Sequence, residues 1–240
     1  MTMPHPIGSN PPEIAFIKEF QSHREDFLAA YLRRAGLANL ELRAHWERIP
    51  SPIRSAIPGH GGGFGLIGGY RVGKTSSLAA LMRREAEQAV DRTIVRMAAR
   101  PEEDFLLTEA LKKGRLPRKP HFSWINWSTM IPEYRAKLFV REAQGEVESW
   151  IQNHLLDGHI TLILDDLGAD RKTSQDWSGE VLARVIDERL RRELRTLWTS
   201  NCVPKELVHR YGGRTVSRLF ELAPPVILPN LPPFLGEAIP

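Results

Sequence analysis

The chain of 240 residues predicts an α/β fold, a central parallel sheet flanked by helices and preceded by a short helical extension. Three observations carry that expectation. A glycine-rich run, GGYRVGKT from Gly68 to Thr75, stands between a strand-like apolar segment (Phe64, Leu66, Ile67) and a helix-forming one. HITLILDDLG, from His159 to Gly168, is a short apolar run ending in acids, as expected of a strand buried on both faces of a parallel sheet. Between and after these two, strand-like and helix-like segments alternate as far as PVILP.

Each element has its own justification. Glu13 to Arg34 reads as an amphipathic helix, with Phe16, Phe20, Phe27 and Tyr31 near one face and Ile17, Leu28 and Leu32 widening it. Gly36 and Asn39 end it, and a second short helix is expected from about Leu40 to Arg48. IPSPIRSAIPGHGGGFG then reads as a linker, because its prolines and glycines break regular structure. This divides the chain into an extension over residues 1–55, a possible partner-docking element, and a core over 56–240 whose first strand starts near Phe64.

Within the core, Thr75 to Val90 is expected as the helix after the glycine-rich loop and Thr93 to Met97 as β-like. Residues 101–120 interrupt the rhythm with charge and proline, including Lys112, Lys113, Arg115, Arg118 and Lys119, and read as a basic insertion. HFSWINW (His121 to Trp127) is aromatic and strand-like, and Ile131 to Leu155 is a helical stretch expected to break around Pro132 and Gly145. Trp177 to Leu194 repeats apolar residues at helical spacing, RTLWTSN is the next strand, Pro204 to Tyr211 a short helix, and PVILP the last strand.

Composition removes whole classes of function. Hydrophobic residues make up 42% and charged ones 26%, which is ordinary for a globular domain. No apolar run approaches the roughly 18 to 20 residues a membrane span requires, and the start MTMPHPIGSNPP lacks a secretory core, so a cytoplasmic address is expected. Cys202 is the only cysteine, which excludes an internal disulfide and any cysteine-rich zinc module. The net charge of +4 and a surplus of arginine over lysine suit a polyanionic partner, though composition alone does not demand one.

The chemistry concentrates in four segments. In the glycine-rich loop, Gly68, Gly69, Tyr70, Arg71, Val72 and Gly73 can turn backbone N–H groups inward, and the next helix starts with unpaired donors and the positive end of its dipole. A triphosphate fits such a concavity, with Lys74 on the β- and γ-phosphates, Thr75 on Mg²⁺ and Ser76 beside them, which makes ATP and Mg²⁺ the expected cofactors. The acids ending LILDD divide the labour: Asp165 for the metal and Asp166 as the base that polarises the attacking water, the plainer alternative being a turn cap. Asn201, at the tip of RTLWTSN, is the candidate to orient the lytic water, or else closes an Asx turn. In GGRTVSRLFEL, Arg218 is the first candidate and Arg214 the second for an arginine that reaches the γ-phosphate of a neighbouring molecule, a surface ion pair being the plainer role.

GGYRVGKT, LILDDLGAD, LWTSN and GGRTVSRL together resemble, in order and approximate spacing, the AAA+ ATPases of the DnaC/DnaI helicase-loader group and the related IstB transposition ATPases, from Phe64 to Leu228. The resemblance implies an AAA+ type P-loop NTPase that binds ATP and Mg²⁺, contacts single-stranded DNA, self-associates and helps place a replicative helicase. It also implies Asn201 as the sensor of the γ-phosphate, Arg218 as an arginine finger acting in trans, and Arg214 as a second phosphate sensor. The extension has none of the zinc-binding cysteines of DnaI-like members, so the resemblance does not carry the helicase contact of those members over to it. Two other functions compete: an IstB-like helper on duplex DNA, and a switch in which ATP orders a protein-binding surface without turnover. A GTPase would need an Asn-Lys-x-Asp run, which does not occur, and a small-molecule kinase would need an acceptor pocket and a lid.

Overall fold

The computed structural model describes residues 22–37, 43–58, 62–98, 120–138, 144–170 and 177–228. Helix α1 (Arg24–Arg34) opens it, followed by a 3-10 turn at Trp46–Arg48 and helix α2 (Ser51–Ala56). Strand β1 (Phe64–Ile67) leads through the glycine-rich loop into helix α3 (Lys74–Ala98), and strand β2 (Phe122–Asn126) follows. Helix α4 (Trp127–Leu138) comes next, then helix α5 (Gln144–Trp150), which widens into a π-helical turn over Ile151–Leu155. Strand β3 (Thr161–Leu167), helix α6 (Trp177–Arg191) and strand β4 (Thr196–Ser200) follow. Helix α7 (Pro204–Tyr211), helix α8 (Gly213–Leu222) and strand β5 (Pro225–Ile227) complete the order.

The five strands pair in parallel in the order β2-β3-β4-β1-β5. The glycine-rich loop therefore leaves a strand flanked on both sides, next to β4 and one strand removed from the acids of β3. Asp165 and Asp166 lie near the carboxyl end of β3, Thr199 and Ser200 at that of β4, and the glycine-rich loop follows that of β1, where open α/β sheets place ligands. Strands β1 and β4 are buried along their whole length and β3 at all but Asp166, as continuous apolar runs predict.

Two apolar clusters fill the faces of the sheet. One joins Phe64 and Leu66 to Leu78 and Met82 of α3 and to Phe27, Leu28, Tyr31 and Leu32 of α1. The apolar face of α1 is thus turned onto its own core, and Phe16, Ile17 and Phe20 lie outside the described residues. Arg24 fastens α1 to α3 through Asp91, with Nε to Oδ1 at 2.7 Å and Nη2 to Oδ2 at 2.9 Å. The Trp124 N–H donates to Ala35 O at 2.6 Å, and Gly36, at φ +100, is required there because a Cβ would stand 2.4 Å from Trp124 O. The second cluster packs Leu162 and Leu164 against Val181, Leu182, Val185 and Ile186 of α6. Each such side chain contributes about 1.5–3 kcal/mol through burial.

Several expectations are corrected. Thr93 to Met97 is helical, because α3 runs on to Ala98; Ala86, Ala89, Val90 and Thr93 are buried at helical spacing, and Thr93 Oγ1 donates to Ala89 O at 2.7 Å. Of the second helix expected over 40–48, the described part holds the 3-10 turn Trp46–Arg48 instead. The expected linker contains α2, which starts with proline in its first turn, where a missing N–H costs no hydrogen bond, and buries Ile53. Helix α4 runs through Pro132, so no break falls there, while α5 starts at Gln144, next to Gly145, with residues 139–143 outside the described residues. The basic residues of 101–119 fall outside the described residues. No helix among the described residues is long and apolar enough to cross a membrane.

Candidate nucleotide site

Strand β1 ends at Ile67, and the loop turns through two left-handed residues, Arg71 at φ 60 and Gly73 at φ 90, before α3 begins at Lys74. Alternation of left- and right-handed residues is how successive N–H groups come to face one concavity. Ser77 secures the start of the helix by donating from Oγ to Gly73 O at 2.7 Å. Tyr70 projects outward, 80% exposed.

Lys74 is only 6% exposed, although lysine is rarely buried. Its ammonium is satisfied by three acceptors: Gly68 O at 2.9 Å, Gly69 O at 2.6 Å and Asn201 Oδ1 at 2.6 Å. Burial pulls its pKa below the ordinary lysine range, and the carboxylates of Asp166 and Asp165 oppose that.

The acids sit at the one irregularity of the β3–β4 pairing, a register shift between Leu164 and Leu167. Asp166 takes φ 63 there, an uncommon conformation for a residue other than glycine. Thr199 of β4 compensates. Its Oγ1 accepts from Asp166 N at 2.9 Å and donates to Asp165 Oδ1 at 2.7 Å.

Asp165 Oδ1 also accepts from Thr75 Oγ1 at 2.9 Å, and Asn201 Nδ2 donates to Asp166 Oδ1 at 2.8 Å. The result is a closed ring across three strand ends: Lys74, Asn201, Asp166, Thr199, Asp165, Thr75 and back along the chain to Lys74. Thr75 and Asp165 offer two hard oxygens side by side, a donor set suited to Mg²⁺, which keeps several waters and takes few protein ligands. Lys74, the left-handed loop and the start of α3 offer the matching cradle for phosphate.

Lys74, Thr75, Asp165, Asp166 and Asn201 are thus brought together as expected from their spacing. Ser76 lies beside them, half-buried. Arg218 and Arg214 are not part of this cluster: Arg218 Nη1 ion-pairs with Asp187 of α6, and Arg214 is exposed on the first turn of α8. Arg218 lines a groove of about 830 Å³ with Gln152, Arg184, Asp187, Glu188 and Arg192. Thr199 was missed by reasoning from sequence; its signal was a hydroxyl two residues before Asn201 at the end of an otherwise apolar strand.

No family model matches the chain. Over 222 residues it is 25% identical to the replicative helicase loader DnaI of Bacillus subtilis (strain 168), an alignment that covers 85% of this chain and 58% of that protein. The chain therefore spans little more than half the length of that relative. Among solved structures, the crystal structure of the DnaC helicase loader superposes with a TM-score of 0.53 at 18% identity, covering 80% of this chain and 100% of that one. The crystal structure of DnaI gives 0.50 at 21% identity, over 82% of this chain and 94% of that one. The chain is DnaI-like in sequence and carries the P-loop α/β fold of the DnaC and DnaI helicase loaders.

Proposed function

We propose that the chain binds ATP with Mg²⁺, hydrolyses it, and serves as a loader of the replicative helicase on single-stranded DNA, acting in the cytoplasm as a self-associating assembly. The observation that carries this reading is the hydrogen-bonded ring from Lys74 through Asn201, Asp166, Thr199 and Asp165 to Thr75. A module that only bound nucleotide would have no use for a carboxylate and an amide directed at one another beside the phosphate loop. The likeness to DnaI supports the helicase as partner.

In this reading Lys74 exchanges its carbonyl and amide partners for phosphate oxygens. Thr75 and Asp165 would hold the cation, which when bound would supply positive charge to offset that of the phosphates. Asp166 accepts a proton from the attacking water, and Asn201 orients that water against the terminal phosphate. Arg218 leaves Asp187 and completes the site of a neighbouring copy, with Arg214 as a second phosphate contact on the same helix.

ATP turnover measured with and without single-stranded or duplex DNA tests this, on the wild type, Lys74→Ala and Arg218→Ala. The expected outcome is hydrolysis stimulated by single strands, loss of nucleotide binding in Lys74→Ala, and loss of turnover with retained binding in Arg218→Ala, restored by mixing with a subunit that keeps the arginine. Preference for duplex selects the IstB-like helper instead. Binding without turnover under every condition leaves the nucleotide-dependent switch.

A further inference from the structure

Immediately after Asp166 the chain turns through Gly168, at φ +91, and Asp170, and this turn is held from outside by a buried polar cluster. The Gly168 N–H donates to the Tyr211 hydroxyl at 2.9 Å, and that hydroxyl donates to Asp170 Oδ1 at 2.5 Å. Asp170 Oδ2 accepts from Ser178 Oγ at 2.6 Å and from Arg210 Nη2, while Arg210 Nη2 also contacts Ser178 Oγ at 2.7 Å. Asp170, Ser178, Arg210 and Tyr211 are each buried. They come from three places: the turn after β3, the start of α6 and the end of α7.

Arg210 and Ser178 already satisfy one oxygen of Asp170, so the carboxylate has partners without the tyrosine. The Tyr211 side chain differs from theirs in reaching the N–H of Gly168, two residues from Asp166. Burial and the neighbouring Asp170 push its phenol far above the ordinary tyrosine range, so the hydroxyl keeps its proton and can donate and accept at once. The amide of Gly168 is thereby fixed to α7, the helix that begins just beyond Asn201.

We propose that Tyr211 is a positioning residue for Asp166: its hydroxyl holds the Asp166–Asp170 turn in the register that sets the carboxylate against Asn201. The inference rests on the ATPase reading and deepens it. A misplacement of about 1 Å in a water-orienting group costs on the order of 10²-fold in rate, so a single hydrogen bond at the base of the turn is enough to matter.

The test compares the full chain with Tyr211→Phe and with Val185→Ala, a core truncation in the middle of α6 that leaves the hydroxyl and the turn in place. Turnover is followed with DNA present across ATP concentrations, nucleotide Kd is measured with a non-hydrolysable ATP analogue, and thermal unfolding is recorded for all three. Tyr211→Phe is expected to lose at least roughly tenfold in kcat with Kd unchanged within about twofold, while Val185→Ala loses stability and keeps kcat. Should Tyr211→Phe fail to fold, Ser178→Ala, which loosens Asp170 and leaves the tyrosine, takes its place with an expected loss of about three- to tenfold in kcat at unchanged Kd. If the wild type turns ATP over and the phenylalanine variant does so equally well, or if kcat follows Tm in both variants alike, the positioning role is overturned and the ATPase reading stands. If the wild type shows no turnover under any condition, the ATPase reading fails and this inference falls with it.

Discussion

Replacing Thr199 by valine removes two hydrogen bonds at almost constant shape. The residue is 1% exposed, donates to Asp165 Oδ1 at 2.7 Å and accepts from Asp166 N at 2.9 Å. A hydrogen bond to a charged group contributes about 1.5–3 kcal/mol, and the lower end applies because Asp165 Oδ1 keeps Thr75 as a donor. The Asp166 N–H loses its acceptor at a register shift where no ladder partner takes over, at about 1–3 kcal/mol. The added methyl group returns somewhat less than about 1 kcal/mol through burial. The net loss is about 2–3 kcal/mol, which for a chain of this length corresponds to a Tm lower by about 4–12 °C. Urea unfolding followed by tryptophan fluorescence and by far-UV circular dichroism measures it, with Thr199→Ser as the comparison. Serine keeps both hydrogen bonds and loses only a methyl group, worth about 1 kcal/mol. A valine variant as stable as the serine variant would refute the assignment of Thr199 as the bridge between the acids.

Two further outcomes follow from packing and charge. Gly65→Ala places a Cβ 1.9 Å from Trp198 Cε2 inside the fully buried sheet, so it is expected to cost at least about 3 kcal/mol or prevent folding, read as a lost urea transition or loss of soluble protein. Glu85 clips α3 to the start of β4 by accepting from Arg195 Nη1 and Nη2, both at 2.8 Å. Burial alone would raise its pKa, but the neighbouring His121 imidazole and the hydrogen-bonded Arg195 guanidinium outweigh that and hold it down to about 2. Because the folded pKa is depressed, this stabilisation is present above the unfolded value and is lost as pH falls from about 4.5 towards 2. After screening by solvent it amounts to roughly 1 kcal/mol at neutral pH. The stability gap between wild type and Glu85→Gln, measured by urea unfolding at pH 7 and pH 3, should therefore narrow at the lower pH.

What could be seen from the linear chain was whatever depends on neighbours in sequence. The strands FGLI and TLWTS are buried along their whole length, and an unbroken apolar run announces that. The glycine-rich loop carries its own geometry, and the polar tips of three of the four segments meet at one edge of the sheet, while Arg214 and Arg218 of the fourth stay outside that cluster. Local propensity misled where tertiary packing overrode it. Thr93, Ile94 and Val95 are β-branched and look like a strand, yet the helix begun at Lys74 continues through them because Ala86, Ala89, Val90 and Thr93 keep one face against the core. Contacts between distant residues were beyond reach. Thr199 meets Asp166 across 33 positions and Tyr211 meets Asp170 across 41, and no periodicity records such pairs. Arg218 illustrates the same limit: GGRTVSRL suggests an arginine directed at a phosphate, while its contact with Asp187 exists only once α6 and α8 have packed.

The closed ring at the strand ends also bears on how a bound anion would be felt through the rest of the site. A buried ammonium is tolerated only when its protons are taken up, and Lys74 achieves this with two backbone carbonyls and Asn201. A phosphate that claims the ammonium frees the Asn201 side-chain oxygen. That amide also donates to Asp166, so losing one partner changes the orientation of the group that faces the carboxylate. Asp166 is in turn held by Thr199 through its backbone, and Thr199 is held to Asp165 and so to Thr75. Three strand ends that do not adjoin in sequence therefore respond to one event at Lys74. In the ATPase reading, Asn201→Ala and Lys74→Ala should consequently differ in kind: the first leaves two acceptors on the lysine and a cradle that still binds nucleotide, whereas the second removes the charge that the cradle is built around.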